Sequence, residues 1–112
     1  MSHLITLKKN YQFQRVFREG QSYSTKHLVL FVVPNQNGSN RIGFVVGKKV
    51  GNSVIRNRVK RLMREVFRSQ NDTLKQGYDM ILLARYRASD LDFWVCKNEF
   101  IKLAQKAKIL DK

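Results

Sequence analysis

The 112-residue sequence contains few residues of several chemically informative kinds. Its single cysteine, Cys96, excludes a disulfide within the chain, and together with only two histidines it has no spacing typical of a zinc site. The longest apolar run, residues 28–34, is far shorter than the roughly 20 residues of a membrane-spanning helix. The first ten residues lack the basic and then apolar pattern of a signal peptide, so we expect a reduced, cytoplasmic setting without membrane contact.

Acidic residues are also scarce. Against 22 Lys and Arg there are 8 Asp and Glu, which gives a formal net charge of +14. The imbalance is concentrated in residues 1–64, where 13 basic side chains accompany one acid, Glu19. Such a segment repels itself unless a polyanion neutralises it. We therefore expect a nucleic-acid partner, and we favour it over a membrane surface because the apolar residues follow core-forming patterns.

The patterning along the chain predicts one domain over residues 1–112, with residues 1–8 as a flexible tail, since no repeat or linker-like segment interrupts it. Helices are predicted at 10–19, 54–69 and 89–108, and strands at 22–26, 28–34, 41–47 and 78–85. The turn dipeptide Asn37-Gly38 predicts that the second and third strands pair antiparallel. A capping box of Ser89 and Asp92 is expected to open the last helix.

This order, αβββαβα, is typical of an α/β sandwich. We expect a mixed sheet of about four strands with the helices packed mainly on one side. The helix over residues 54–69 is expected to connect two parallel strands, because a parallel connection needs a crossover of that length.

The helix over residues 54–69 has the clearest periodicity in the sequence. Its apolar residues share one side: Ile55, Val59, Leu62, Met63, Val66 and Phe67. The opposite side, its boundary at Arg56 and Arg58, and the preceding loop carry groups suited to phosphate: Lys48, Lys49, Asn52, Arg56, Asn57, Arg58, Lys60, Arg61 and Arg64. A strand rather than a partner helix precedes this helix, which disfavours a DNA-reading helix-turn-helix and favours RNA as the polyanion.

Aromatic residues form a second feature. Phe13 and Phe17 lie one turn apart on the first predicted helix, and Phe31 lies in the strongest strand. The nearby cations are Arg15, Arg18 and Lys26. This spacing is compatible both with a core and with a stacking surface for single-stranded RNA, and the pattern does not decide between the two.

The sequence presents no arrangement typical of an independent catalytic or metal site. The remaining candidates are interpreted as structural or solvent-facing: His3, His27, Asp72, Asp79, Asp90, Asp92 and Cys96. Asp90 and Asp92 fit helix capping, Cys96 falls on the inward side of the last helix, and Asp79 has no evident partner. Trp94, three residues before Lys97, is compatible with either a packed or an exposed position.

The segment KKVGNSVIRNRVKRLMRE, residues 48–65, resembles the signature of the bacterial ribonuclease P protein subunit, in which an Arg-Asn-Arg segment opens a long basic helix. The flanking segments NYQFQRVFREG, LVLFVVP and YDMILLAR occur in the expected order, so the resemblance covers nearly the whole chain. It implies a ribosomal-protein-type α/β domain. It also implies a noncatalytic partner of an RNA enzyme that removes the 5′ leader of precursor tRNA, with hydrolysis by Mg²⁺ held on the RNA and no cofactor on the protein.

The resemblance also implies roles for particular residues. The set on the basic helix and its preceding loop, from Lys48 to Arg64, would contact the catalytic RNA, and Phe13, Phe17, Phe31, Arg15, Arg18 and Lys26 would line a groove for the leader. We expect a monomer that joins one RNA. A structural binder of ribosomal RNA, a self-sufficient nuclease and a DNA-binding regulator are the alternatives.

Overall fold

A computed structural model describes residues 4–111; His3 and the two residues before it, and the final Lys112, lie outside the described residues. The regular elements are α1 (Asn10–Glu19), β1 (Gln21–Ser24), β2 (Leu28–Pro34), β3 (Arg41–Val46), α2 (Ser53–Gln70), β4 (Tyr78–Ala84) and α3 (Phe93–Lys106). Short 3₁₀ turns occupy Lys48–Val50, Asn71–Thr73 and Tyr86–Asp90. The predicted element order is therefore confirmed.

The four strands form one mixed sheet in the order β1-β2-β4-β3. β2 is antiparallel to both β1 and β4, and β3 is parallel to β4. The predicted parallel connection through the basic helix, α2, is confirmed. Among residues 4–111, no helix is long and apolar enough to span a membrane.

The predicted antiparallel pairing of β2 with β3 is wrong, because β4 lies between them. β4 is apolar at nearly every position and is buried on both faces, and a central place in the sheet covers such a strand best. The loop after β2 passes across the start of β4, where the Asn35 backbone N–H donates to the Gly77 carbonyl at 2.8 Å. Gly38 does adopt the positive φ of a turn, but within this longer connection.

Helices cover both faces of the sheet. α2 and α3 pack on one face over the larger core, which includes Phe67 and Phe100 with ring centroids 5.8 Å apart. α1 packs alone on the other face, where Val16 and Ile81 are fully buried. Two of the three helices thus share one side, in agreement with the expected sandwich.

The chain ends depart from the sequence predictions in two places. Within the expected tail, Thr6 bridges to Ile42 at the free edge of β3, and Leu7 is buried beneath α1, so residues 5–7 pack against the sheet. The last helix begins after Asp92 rather than at Ser89, because the Asp92 carboxylate accepts from the Val95 N–H at 2.9 Å and caps it. Ser89 lies in the preceding 3₁₀ turn, so the predicted capping box is absent.

Candidate nucleic-acid interface

The cations of helix α2 face outward because its N-terminus is capped and its apolar residues are buried against the rest of the fold. Asn52 caps the helix, with its side-chain oxygen accepting from the Ile55 N–H at 3.0 Å. Four apolar residues are fully or almost fully buried against the sheet and α3: Val59, Met63, Val66 and Phe67. This anchoring fixes the rotation of the helix, so the predicted separation into an apolar and a cationic side is confirmed.

The cations on this outward side are not equivalent. Arg61 is exposed, and it makes no hydrogen bond or ion pair within residues 4–111, so its charge is available to a ligand. Arg58, in contrast, donates from Nη1 to the Leu91 carbonyl at 3.0 Å and from Nη2 to the Ser89 carbonyl. Arg58 therefore holds the segment that leads into α3, a role that its position in the basic motif does not reveal.

Arg64 and Lys60 lie on the side of α2 that faces the edge of β3. The Arg64 guanidinium lies 5.7 Å from the centre of the Phe44 ring, within the range of a cation–π interaction. Both residues border a small cavity of about 210 Å³ that Phe13 of α1 also lines. The predicted RNA-contacting surface thus reaches the neighbourhood of the predicted aromatic groove.

The aromatic residues on the other face of the sheet have different environments. Phe13 is half-buried against Gly43, where an added Cβ would lie 2.4 Å from Phe13 Cε1. Phe17 is 42% exposed and meets the half-buried Phe31 edge-on, with ring centroids 4.9 Å apart. Phe13 therefore belongs mainly to the packing of α1, whereas Phe17 and Phe31 present aromatic surface to a ligand.

Beyond Phe17, none of the helices in residues 4–111 covers the sheet face. The aliphatic side chains of Val29, Val45 and Leu83 form the floor of an open groove of about 620 Å³. Its rim contains Lys48, Lys49, Arg85 and Tyr86. We call this surface the sheet groove; Phe31 extends its floor, because Phe31 and Val29 lie two residues apart on the same face of β2.

Most residues of the sheet groove are not predicted by the sequence pattern. Arg85 and Tyr86 follow a strand whose sequence is almost entirely apolar. Residues 28–30 are Leu-Val-Leu, so no alternation of polar and apolar residues in the sequence distinguishes half-buried Val29 from its buried neighbours. Lys48 and Lys49, predicted to contact the catalytic RNA, lie on its rim. They place the groove next to the basic surface of α2.

The three cations predicted to accompany the groove occupy different places. Lys26 is exposed in the turn between β1 and β2, close to the sheet groove, because Arg85 Nη1 donates to the neighbouring Thr25 carbonyl at 2.7 Å. Arg18 is exposed on α1 and pairs with Glu19 at 3.5 Å. Lys26 is thus brought to the groove, and Arg18 remains beside Phe17 on the helix surface.

Arg15 is directed toward the opposite end of the sheet, at a buried acid. Its guanidinium donates to the Pro34 carbonyl at 2.9 Å and lies 3.4 Å from Asp79. Asp79 also accepts from Arg41 Nε at 2.8 Å and from Asn35 Nδ2 at 2.8 Å. Burial opposes ionisation of Asp79, but these hydrogen bonds and charges outweigh burial and hold the pKa of its carboxyl below the usual value. The cluster fastens α1 to the sheet, and it gives Asp79 the partners that the sequence did not show.

His27 and Cys96 both have structural roles in the fold. His27 Nδ1 lies 2.5 Å from Glu99 Oε2, and Thr25 Oγ1 donates to the other carboxylate oxygen, Glu99 Oε1. The Glu99 carboxylate therefore joins α3 to the β1–β2 turn. Cys96 is fully buried, and burial raises the pKa of its thiol to about 12. Residues 4–111 contain no group of three or more His, Cys, Asp or Glu side chains placed to hold a metal ion.

Comparison with known proteins identifies the family. A family model described as ribonuclease P matches residues 1–108. The ribonuclease P protein component of Natranaerobius thermophilus is 64% identical over 112 residues, which cover 100% of this chain and 97% of that protein. The corresponding protein of Caldanaerobacter subterraneus subsp. tengcongensis is 41% identical, with 96% of this chain and 93% of that protein covered.

Solved structures agree with the sequence relatives. The RNase P protein of Staphylococcus aureus superposes with a TM-score of 0.86 at 31% identity, covering 96% of this chain and 99% of that one. The RNase P protein of Thermotoga maritima gives a TM-score of 0.82 at 28% identity, covering 90% and 96%. The fold, the basic helix and the matches over almost the full length agree, and the chain belongs to the ribonuclease P protein family.

Proposed function

We propose that this chain is the RNA-binding subunit of ribonuclease P. In this proposal α2 and the loop before it bind the catalytic RNA. The sheet groove, together with Phe17 of α1 at its end, binds the 5′ leader of precursor tRNA. The protein acts as a monomer, one copy to each RNA, in the cytoplasm. The observation that carries the proposal is the position of Lys48 and Lys49, which border the sheet groove and directly precede the basic helix.

The basic surface suits an RNA backbone in its chemistry. Arginine presents a planar fork that matches phosphate oxygens, and lysine adds mobile positive charge. Arg61 is exposed without a protein acceptor within residues 4–111, so phosphate can pair with it without breaking an internal bond. Each phosphate contact releases counterions, which makes binding weaken as salt rises.

The groove suits single-stranded RNA. Aromatic and aliphatic surfaces accept the faces of unpaired bases without selecting one base, and cations on the rim accept the phosphates. Phe17 and Phe31 supply aromatic surface, and Val29 with its neighbours supplies the aliphatic floor. A leader varies in sequence from one tRNA to another, so a surface that binds through stacking and charge fits this role.

Hydrolysis in this proposal belongs to the RNA, with Mg²⁺ ions bound there. The contribution of the protein is to hold the leader and to neutralise phosphates where two RNAs meet. A net charge of +14 on a chain of this size lowers the repulsion between the RNAs and with it the Mg²⁺ concentration that cleavage requires.

The test compares binding of precursor and mature tRNA to the holoenzyme. Phe17→Ala should weaken precursor binding by about 1 kcal/mol, the lower end for one stacked base, because Phe17 exposes only part of its ring. Binding of mature tRNA, which has no leader, should not change. Tyr11→Ala is the matched control, since Tyr11 is also an exposed aromatic residue of α1, but among the described residues it is Phe17 and not Tyr11 that contacts Phe31 at the end of the groove floor.

Two results would contradict the proposed leader site. An equal loss for precursor and mature tRNA would assign Phe17 to folding or to general RNA binding, as expected for a binder of ribosomal RNA. Unchanged precursor binding would remove Phe17 from the leader path. Melting temperatures of both variants, measured beside the affinities, separate a folding defect from a lost contact.

A further inference from the structure

Trp94 is an exposed aromatic residue that belongs neither to the basic helix nor to the sheet groove. It lies in the first turn of α3, and its side chain is 66% exposed. The ring meets the half-buried Phe93 edge-on, with centroids 5.2 Å apart, and Lys97 Nζ lies 5.4 Å from the ring centre. One side of the indole thus carries a cation, while most of its surface is open to solvent.

The position of Trp94 places it beside the basic helix. Leu91, three residues before Trp94, accepts a hydrogen bond from Arg58 in the N-terminal half of α2. α2 and α3 lie together on the same face of the sheet, with Phe67 and Phe100 in contact. The start of α3 thus lies against the N-terminal half of α2, so a ligand bound there is near the turn that carries Trp94.

The charges around Trp94 favour an anionic ligand. Lys97 lies on α3, the same helix as Trp94, and Arg58 lies on the neighbouring helix α2. The exposed Arg61 lies one turn after Arg58. Two acids precede Trp94. Both are exposed; Asp92 caps α3, and Asp90 lies 4.0 Å from His27 Nε2. A large aromatic surface with cations beside it is the combination that binds an unpaired base and its phosphate.

We propose that Trp94 and Lys97 form a second RNA contact, in which the open face of the indole stacks on an unpaired base of the RNA bound by α2 and Lys97 neutralises an adjacent phosphate. This inference rests on the proposed function and extends it to α3. The contact is separate from the groove on the other face of the sheet, and its ligand is the catalytic RNA rather than the leader.

Trp94 is the only tryptophan in the sequence, so its fluorescence reports on this contact directly. The full-length protein is titrated with bacterial ribonuclease P RNA while indole emission is followed, and binding of end-labelled RNA is measured independently by filter retention. We expect emission to be quenched with the same midpoint as RNA binding. Acrylamide should quench Trp94 less in the complex than in the free protein.

Substitutions make the test quantitative. Trp94→Ala should weaken RNA binding about fivefold or more, the effect of one stacked base, and Trp94→Phe should recover most of the affinity. Lys97→Ala should weaken binding more than Lys102→Ala, a matched control because Lys102 is an exposed lysine of the same helix without an aromatic partner. All three positions are outside the buried core, so unchanged melting curves are expected for the four variants.

Three outcomes would overturn the inference. If the RNA binds but Trp94 emission and acrylamide quenching do not change, and Trp94→Ala binds like the unmodified protein, the contact does not exist while the proposed function stands. If emission depends on protein concentration without RNA, Trp94 serves an interface between copies of the chain. If no RNA binds at all, the proposed function fails together with the inference.

Discussion

Arg58 and Arg61 lie within one turn of the same basic helix, but we expect their loss to affect different properties. Loss of Arg58 should lower the stability of the fold, and loss of Arg61 should weaken RNA binding. Arg58 donates two hydrogen bonds to the backbone carbonyls of Ser89 and Leu91, and Arg61 donates none within the described residues. A hydrogen bond from a charged group contributes about 1.5 to 3 kcal/mol. Because Ser89 is exposed, water can replace the bond to its carbonyl at little cost. We therefore expect the two hydrogen bonds of Arg58 together to contribute about 1.5 to 3 kcal/mol, the value for one such bond.

For a domain of this size about 1 kcal/mol corresponds to a shift of about 4 °C in melting temperature. Arg58→Ala should therefore melt about 6 to 12 °C lower, whereas Arg61→Ala should stay within about 2 °C of the unmodified protein. In RNA binding, Arg61→Ala should flatten the plot of log affinity against log salt by about 0.7 to 0.9. Arg58→Lys should keep the salt slope but not the melting temperature, because lysine retains the charge and loses the planar fork.

Thermal melting of the free protein and RNA binding at four salt concentrations provide the assay. Equal melting temperatures for Arg58→Ala and Arg61→Ala would refute the structural role of Arg58. A salt slope that Arg61→Ala leaves unchanged would remove Arg61 from the phosphate contacts.

Three further positions test packing and ionisation. Gly43→Ala places a Cβ 2.4 Å from a Phe13 ring atom and should destabilise the fold by about 1 to 3 kcal/mol in chemical denaturation, whereas Gly47→Ala, with no atom within 4 Å of the new Cβ, should have little effect. The pKa of Asp79 is lowered on folding. The ionised carboxylate therefore stabilises the folded protein above the pKa of an unfolded aspartate, about 3.9, and this contribution is lost as the pH falls through the pKa of Asp79 in the folded protein. Asp79→Asn should be less stable than the unmodified protein at pH 7 and should lose less further stability on acidification; parallel curves would contradict this. The Cys96 thiol, with a pKa of about 12, should resist a thiol reagent at pH 8 until the protein unfolds, and rapid labelling of the folded protein would show that it is accessible.

Local features of the fold could be predicted because local patterns encode them. The basic helix was expected at 54–69 and spans Ser53–Gln70, since its buried residues repeat with the helical period. The place of β4 between β2 and β3 could not be predicted from the turn signal at Asn37-Gly38, because the signal describes the connection and not the more distant strand that the connection passes. The sequence shows that β4 is apolar, but it does not show which strands are its neighbours in the sheet.

The candidate site was predictable in part for a related reason. Sequence pattern indicated which side of α2 is cationic, but the hydrogen-bond acceptors of Arg58 belong to residues 31 and 33 positions away along the chain. The sheet groove exists because α1 has ten residues, about 15 Å of helix, and leaves part of the sheet face open. Which strand residues that open part exposes depends on tertiary packing, so Val29 and Leu83 looked like ordinary core.

In the proposed function, the chain assists an RNA enzyme in tRNA maturation. The most direct test is cleavage of a 5′-labelled precursor tRNA at low Mg²⁺ with no addition, with the protein alone, with a bacterial ribonuclease P RNA alone, and with both. We expect cleavage at the mature 5′ end only, or far faster, when protein and RNA are combined. No gain from adding the protein to the RNA, or cleavage by the protein alone, would contradict it.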